Sequence, residues 1–224
     1  MNNCAIIVAG GSGTRMGAPL PKQYLEIGGK PILMHTLSKF LKFSPKIDLI
    51  LVLPSPDMDL WKSLCLQHEF TVKHTVISGG KTRFQSVKNG LAALGEDHDL
   101  VAIHDGVRPF VSVEVIKNSF IEAQKSGSAI AVAPLKDSLR KLRVHGGSHF
   151  QDRQQFRLVQ TPQTFQVKKI KRAFQIDELP IFTDDATVYE HQGWEVSLIS
   201  GNPENIKITT PEDLDYAEYL LSKQ

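Results

Sequence analysis

Cys4-Ala5-Ile6-Ile7-Val8 runs straight into Ala9-Gly10-Gly11-Ser12-Gly13-Thr14-Arg15-Met16-Gly17, and Pro21-Lys22-Gln23 follows shortly after. The first five residues form an apolar run that reads as a buried strand. A strand that empties into a glycine-rich turn with nearby cations is a common way for a backbone to cradle phosphates. The glycines allow close approach of a ligand to the main chain, and Arg15 and Lys22 supply positive charge. Two familiar phosphate grips do not fit. A P-loop requires Lys and Ser or Thr directly after its last glycine, where this chain has Ala18-Pro19. The dinucleotide fingerprint requires its third glycine one residue earlier than Gly17, and a helix opening there would not accommodate Pro19 and Pro21. A longer phosphate-wrapping loop and an irregular Gly/Pro-rich surface turn both remain open on this pattern alone.

Outward from this stretch the chain alternates. Apolar strand-like runs recur at Leu49–Leu53, Thr71–Ile77, Leu100–Ile103 and Ala129–Ala133. Helical patterns lie between them at Ile32–Leu41, Met58–His68, Phe84–Leu94 and Val113–Gln124. Such alternation predicts an α/β fold whose mostly parallel sheet is covered on both faces. Ligands of these sheets sit beyond the carboxyl ends of the strands. The first loop, Ser78-Gly79-Gly80 and His104-Asp105-Gly106 all fall there.

The alternation breaks after Pro134. Residues 136–157 are polar and charged, with Gly146-Gly147 near the middle and β-like flanks at Ser138–Val144 and Phe156–Val159. They are read as a projecting hairpin arm with its tip at 145–149, a feature suited to association as a homodimer. Beyond it the sequence predicts a helix over Gln166–Gln175, an acidic turn at Thr183-Asp184-Asp185, a helix through Glu190, and strands at Glu195–Ile199 and Asn205–Ile208. A last helix is capped by Thr210 and opened by Pro211. No internal repeat or linker divides residues 1–224, so one domain with an arm is expected.

Composition narrows the function classes. The net charge of +2 over 224 residues implies no nucleic-acid-binding patch, so an anion site must be local. No apolar segment approaches the roughly 20 residues of a membrane span, and the N-terminal residues do not read as a signal peptide. Cys4 and Cys65 are far apart and read as buried thiols of a reducing, cytoplasmic setting. His104 lacks a partner at metal-ligand spacing and reads as a hydrogen-bonded structural histidine. Asp105 suits a Mg²⁺ shell or a ribose hydroxyl, and the planar fork of Arg108 suits a second anion. A solvated Asp-Gly turn would account for that fragment equally well.

The ordered set GGSGTRMG, PKQYL, SGGKTR with Ser86, HDGVRP, Asp152-Arg153, TPQTF, TDDA and NIKITTPEDL resembles the 2-C-methyl-D-erythritol 4-phosphate cytidylyltransferases of the non-mevalonate isoprenoid pathway. The resemblance implies a Rossmann-like nucleotidyltransferase domain. It would transfer a cytidylyl group from CTP to a polyol phosphate with Mg²⁺, releasing pyrophosphate. By the same resemblance Arg15 and Lys22 stabilise the transition state, while Arg153 and Lys207 position the acceptor phosphate, the arginine being delivered across a dimer. Ala9, Gly10, Gly11, Gly13, Gly80, Lys81, Ser86 and Asp105 match CTP-binding positions. Arg108, Ser138 and Thr183 match contacts to the polyol phosphate, and Asp105 also the metal. Three departures stand out: Gly10 replaces a frequent alanine, Gly106-Val107 replaces a frequent Ala-Ala, and Lys81 occupies an often acidic position. Ribitol-5-phosphate cytidylyltransferases share nearly all of these motifs and are the alternative enzyme. A nucleotide-binding module without activity is the alternative from another class.

Overall fold

The structure, a computed structural model, describes residues 2–11 and 20–223. Gly13 and Arg15 of the first loop lie outside the described residues. The chain opens with β1 (Asn3–Val8), a 3₁₀ turn at Lys22–Tyr24, and the short pair β2 (Glu26–Ile27) and β3 (Lys30–Pro31). Then follow α1 (Ile32–Phe43), β4 (Asp48–Leu53), α2 (Met58–Gln67), β5 (Thr75–Ser78), α3 (Arg83–Ala92), β6 (Leu100–Asp105), α4 (Val113–Ser126) and β7 (Ser128–Pro134). The arm holds β8 (Leu139–Leu142) and β9 (Ser148–Gln151). The chain closes with β10 (Arg157–Gln166), α5 (Val167–Ala173), α6 (Asp185–Glu190), β11 (Leu198–Ser200) and α7 (Pro211–Leu221).

The main sheet has the order β11-β7-β10-β6-β1-β4-β5. Its pairings are parallel except for β10, which runs against both β6 and β7. This is the expected mostly parallel sheet. Strand β1 shows why it needs two covers. Ala5, Ile7 and Ala9 pack into a core with α1, α2 and α4. Cys4, Ile6 and Val8 pack into another with α3, α5 and α6. Each fully buried Ile here contributes roughly 1.5–3 kcal/mol relative to exposure, which is why the run shows no polar alternation. A third core, around Ile27, Ile32, Val107 and Ile208, seats α7 through Ala217. Helix α4 is capped by the Ser112 hydroxyl at Val115 N–H and ends at Gly127, whose φ of 100° suits glycine and turns the chain into β7.

Several boundaries differ from the sequence reading. Only the last part of Thr71–Ile77 joins the sheet, because Ile50 pairs with Thr75 and the residues before it are held by His74, which bonds Trp61 and Val72 instead. Residues 205–208 form no strand. Arg108 donates to the Asn205 carbonyl and Ile208 N–H to the Val107 carbonyl, so the segment is spent on the loop after β6 rather than on a ladder. Residues 136–157 do contain a hairpin, but its returning strand is β9, which starts within the stretch read as the tip and ends at Gln151. Gly146 and Gly147 have positive φ and close the turn early, with Arg143 N–H donating to the Gly147 carbonyl. Of the second flank, Phe156–Val159, the residues from Arg157 on pair with β7 in the main sheet instead.

Candidate functional site

Chain order reverses at β1, whose neighbours are β4 on one side and β6 on the other. The crevice at such a switch point is where a doubly wound sheet accepts ligands. A cavity of about 270 Å³ opens there, lined by Ala9, Gly10, Gly11 and Lys22 from the first loop, by Gly80, Lys81 and Ser86 after β5, and by Asp105 and Lys207. The sequence-expected CTP positions that are described therefore converge on one chamber.

Local chemistry explains its shape. Ala9 N–H donates to the Val52 carbonyl, and the Gln23 amide donates to the Ala9 carbonyl at 3.0 Å, so both sides of the loop entry are fixed. Lys22 is buried beside it, only 8% exposed. After β5, Thr82 caps α3 by accepting from Gln85 N–H. Ser86 donates to the Thr82 carbonyl and accepts from Gly80 N–H at 3.2 Å. Gly79 has to be glycine-like in size, since a Cβ there would stand 2.8 Å from Ser86 Oγ and 3.3 Å from Val52 Cγ1.

A second cavity of about 280 Å³ adjoins the first. It is lined by Arg108, Gln160, Thr161, Gln163, Thr183 and Asp184, and shares Arg83, Asp105 and Lys207 with its neighbour. Asp105 is the wall between them. Its Oδ2 faces Arg108 Nε and Lys207 Nζ, each at 3.1 Å, and its Oδ1 lies 3.7 Å from Arg83 Nε. Burial alone would raise the Asp105 carboxyl, but Arg83, Lys207 and Arg108 together outweigh it and hold the group well below the usual carboxylate range.

Beneath this wall sits His104, which is fully buried. Thr161 Oγ1 accepts from Asp105 N–H, leaving its own proton for His104 Nδ1 at 3.0 Å. The Arg108 carbonyl can only accept, so His104 Nε2 carries the proton that reaches it at 3.1 Å. Burial pushes the imidazole down to about 4, in keeping with this neutral tautomer. His104 is thus the hydrogen-bonded structural residue that its lack of metal-spaced partners predicted.

Two expected residues stand apart. Ser138 and Arg153 are exposed on the arm and line neither cavity; the Arg153 guanidinium donates to the Lys136 carbonyl. Conversely, Arg83, Gln23, Thr161, Gln163 and Asn205 shape the site without having been singled out from the sequence. All five lay within quoted motifs, where only the motif and not their own part in it was the signal. Asn205 is fully buried and bonds Gln160 and the Thr161 carbonyl, which a sequence pattern does not encode.

A doubly wound domain with two anion-friendly chambers sharing one carboxylate wall is the architecture of a nucleotidyltransferase. The model of the family "2-C-methyl-D-erythritol 4-phosphate cytidylyltransferase" (IspD) matches residues 3–223. The protein of that name from Bacteroides thetaiotaomicron is 51% identical over 221 residues, covering 99% of this chain and all of the relative. Its Bacteroides fragilis counterpart is 52% identical with the same coverage. A crystal structure of 4-diphosphocytidyl-2C-methyl-D-erythritol synthase from Anaerococcus prevotii superposes with a TM-score of 0.86 at 32% identity, covering 99% of this chain and 96% of that one. This chain belongs to the 2-C-methyl-D-erythritol 4-phosphate cytidylyltransferase family.

Proposed function

We propose that this protein transfers the cytidylyl group of CTP to 2-C-methyl-D-erythritol 4-phosphate. An oxygen of the acceptor phosphate forms a bond to the α-phosphorus, the bond from that phosphorus to the bridging oxygen breaks, and pyrophosphate leaves. The observation that carries this reading is the pair of adjoining cavities with Asp105 and Lys207 common to both. A phosphate monoester is already an anionic nucleophile, so the reaction needs alignment and charge neutralisation more than a general base. Lys22 faces the nucleotide side, Arg108 the acceptor side, and Lys207 both. Arg15 is assigned the second transition-state cation by resemblance alone.

Mg²⁺ fits as a cofactor. Among the described residues no three His, Cys, Asp or Glu side chains cluster as a protein-only metal site. That suits a cation held by one carboxylate and the triphosphate itself, the usual habit of Mg²⁺. Asp105, which borders both cavities, is the residue that would hold it. When bound it would neutralise triphosphate charge.

The arm is assigned to a homodimer contact, with Arg153 and Ser138 serving the partner's acceptor pocket. Leu142, Val144 and Phe150 are 80%, 95% and 69% exposed, an apolar surface that asks for a cover. A cytoplasmic setting accords with two free thiols, Cys4 and Cys65, and among the described residues no helix is long and apolar enough to cross a membrane.

The test is pyrophosphate release from CTP with either polyol phosphate. Turnover with methylerythritol 4-phosphate is expected. Faster turnover with ribitol 5-phosphate would overturn the choice of acceptor, and none with either would favour a binding module.

A further inference from the structure

Arg83 is the first residue of α3, immediately after the nucleotide-side turn, yet its side chain crosses to the other chamber. Its two terminal nitrogens donate to Asp185 Oδ1 and Oδ2 at 2.8 and 2.7 Å, a fork-to-fork pair. Asp185 is fully buried at the start of α6. Burial pushes its carboxyl up from its usual range, and the fork from Arg83 is what opposes that. With both terminal nitrogens engaged, the remaining Nε faces Asp105 Oδ1 at 3.7 Å. The guanidinium therefore has one orientation. Burial works against its charge, and Asp185, followed by Asp105 and Asp184, more than compensates. A neighbouring tie runs the same way: Thr82 Oγ1 donates to Glu178 Oε2 at 2.8 Å, linking the α3 cap to the segment that carries Thr183.

We propose that Arg83, locked by Asp185, is a positioning residue that holds the Asp105 carboxylate in the wall between the two chambers. The inference rests on the cytidylyl-transfer reading, and the parent enzyme's own turnover tests that reading separately. Arg108 and Lys207 crowd Oδ2 from the acceptor side. Arg83 alone among the described cations meets Oδ1, and without it the carboxylate would be free to rotate toward the other two.

The experiment separates positioning from mere structural pairing. Removing one member of a buried ion pair strands a charge, whereas removing both is close to neutral for stability. Arg83→Gln and Asp185→Asn alone should each lower Tm, and the double variant should regain most of it. If Arg83 positions Asp105, the double variant nevertheless keeps a loss in kcat/KM for the acceptor of tenfold or more. Its Kd for CTP should move less than threefold. Arg83→Lys gives an independent reading: it keeps a charge for Asp185, but its single ammonium nitrogen cannot span both Asp185 and Asp105, so it should retain Tm and still lose acceptor kcat/KM tenfold. Parent-like turnover in either the double variant or Arg83→Lys overturns the proposal. A parent without turnover would instead refute the reading of function.

Discussion

Lys207 Nζ stands 3.1 Å from Asp105 Oδ2, and both side chains line the two adjoining cavities alike. The pair is half in solvent on the lysine side, at 40% side-chain exposure against 10% for the aspartate. Lys207 can therefore leave Asp105 for an incoming phosphate without stranding it, since Arg108 remains on the same oxygen. Replacing Lys207 by Gln should remove one charge-assisted bond to the acceptor, about 1.5–3 kcal/mol. Steady-state kinetics should then show roughly a tenfold to hundredfold fall in kcat/KM for the acceptor, with Tm little changed.

The neutral His104 makes stability depend on pH with a defined sign. Its folded pKa lies near 4 against 6.5 for the ordinary imidazole, so between these values the unfolded chain binds more protons. Stability is thus complete above about pH 6.5 and declines as pH falls toward 4. For one fully buried group the decline is on the order of 3 kcal/mol. His35, lowered chiefly by burial, adds in the same direction. Asp105, depressed by its cations, contributes only below the usual carboxylate range. Urea unfolding at several pH values should show a flatter slope over pH 4–6.5 in His104→Asn than in the parent; equal slopes would refute the assignment.

Gly79 and Ser86 test the nucleotide cradle by opposite routes. Ser86→Ala deletes the acceptor of Gly80 N–H, a change of about 1 kcal/mol or several-fold in CTP affinity. Gly79→Ala drives a methyl to 2.8 Å from the same hydroxyl and 3.4 Å from the Leu53 carbonyl. It should cost more, tenfold or beyond. Calorimetric titration with CTP orders the two.

Chelation should separate catalysis from folding. Because no protein-only cluster exists among the described residues, EDTA is expected to abolish turnover and leave the thermal midpoint within a degree or two. A large drop in Tm would reveal a structural metal instead.

Mixing subunits tests the arm. Arg153→Ala and Lys22→Ala proteins should each be nearly inactive. After verified subunit exchange a mixed dimer would retain one intact site and recover up to about a quarter of parental activity, on the effective-site arithmetic of random pairing. No recovery would count against a shared site.

Much of this fold was readable because buried parallel strands leave an unmixed apolar signature, and β1, β4, β6 and β7 all carry it. The capped helix α7 was legible for the same local reason: Thr210 announces its own hydrogen bond. What stayed hidden depended on tertiary partners. Gln160–Gln166 continues β10 across a Pro-containing stretch with a register shift, which no local pattern predicts. Residues 205–208 look like a strand but answer to the loop after β6. At the site, the glycine loops and Asp105 declared themselves at strand ends. Arg83 did not, because its role comes from reaching Asp185, 102 residues away.

Strand β10 has a final implication. Running against its neighbours, it brings its amino-terminal end to the carboxyl ends of β6 and β7, so Val159, Gln160 and Thr161 both anchor the arm and line the second cavity. The hairpin is therefore a lever whose fulcrum is the wall of that cavity. A side chain added at its tip, at Gly146 or Gly147, would meet nothing within 4 Å, so a change there should stay local. A residue inserted at its root would be transmitted directly to the acceptor.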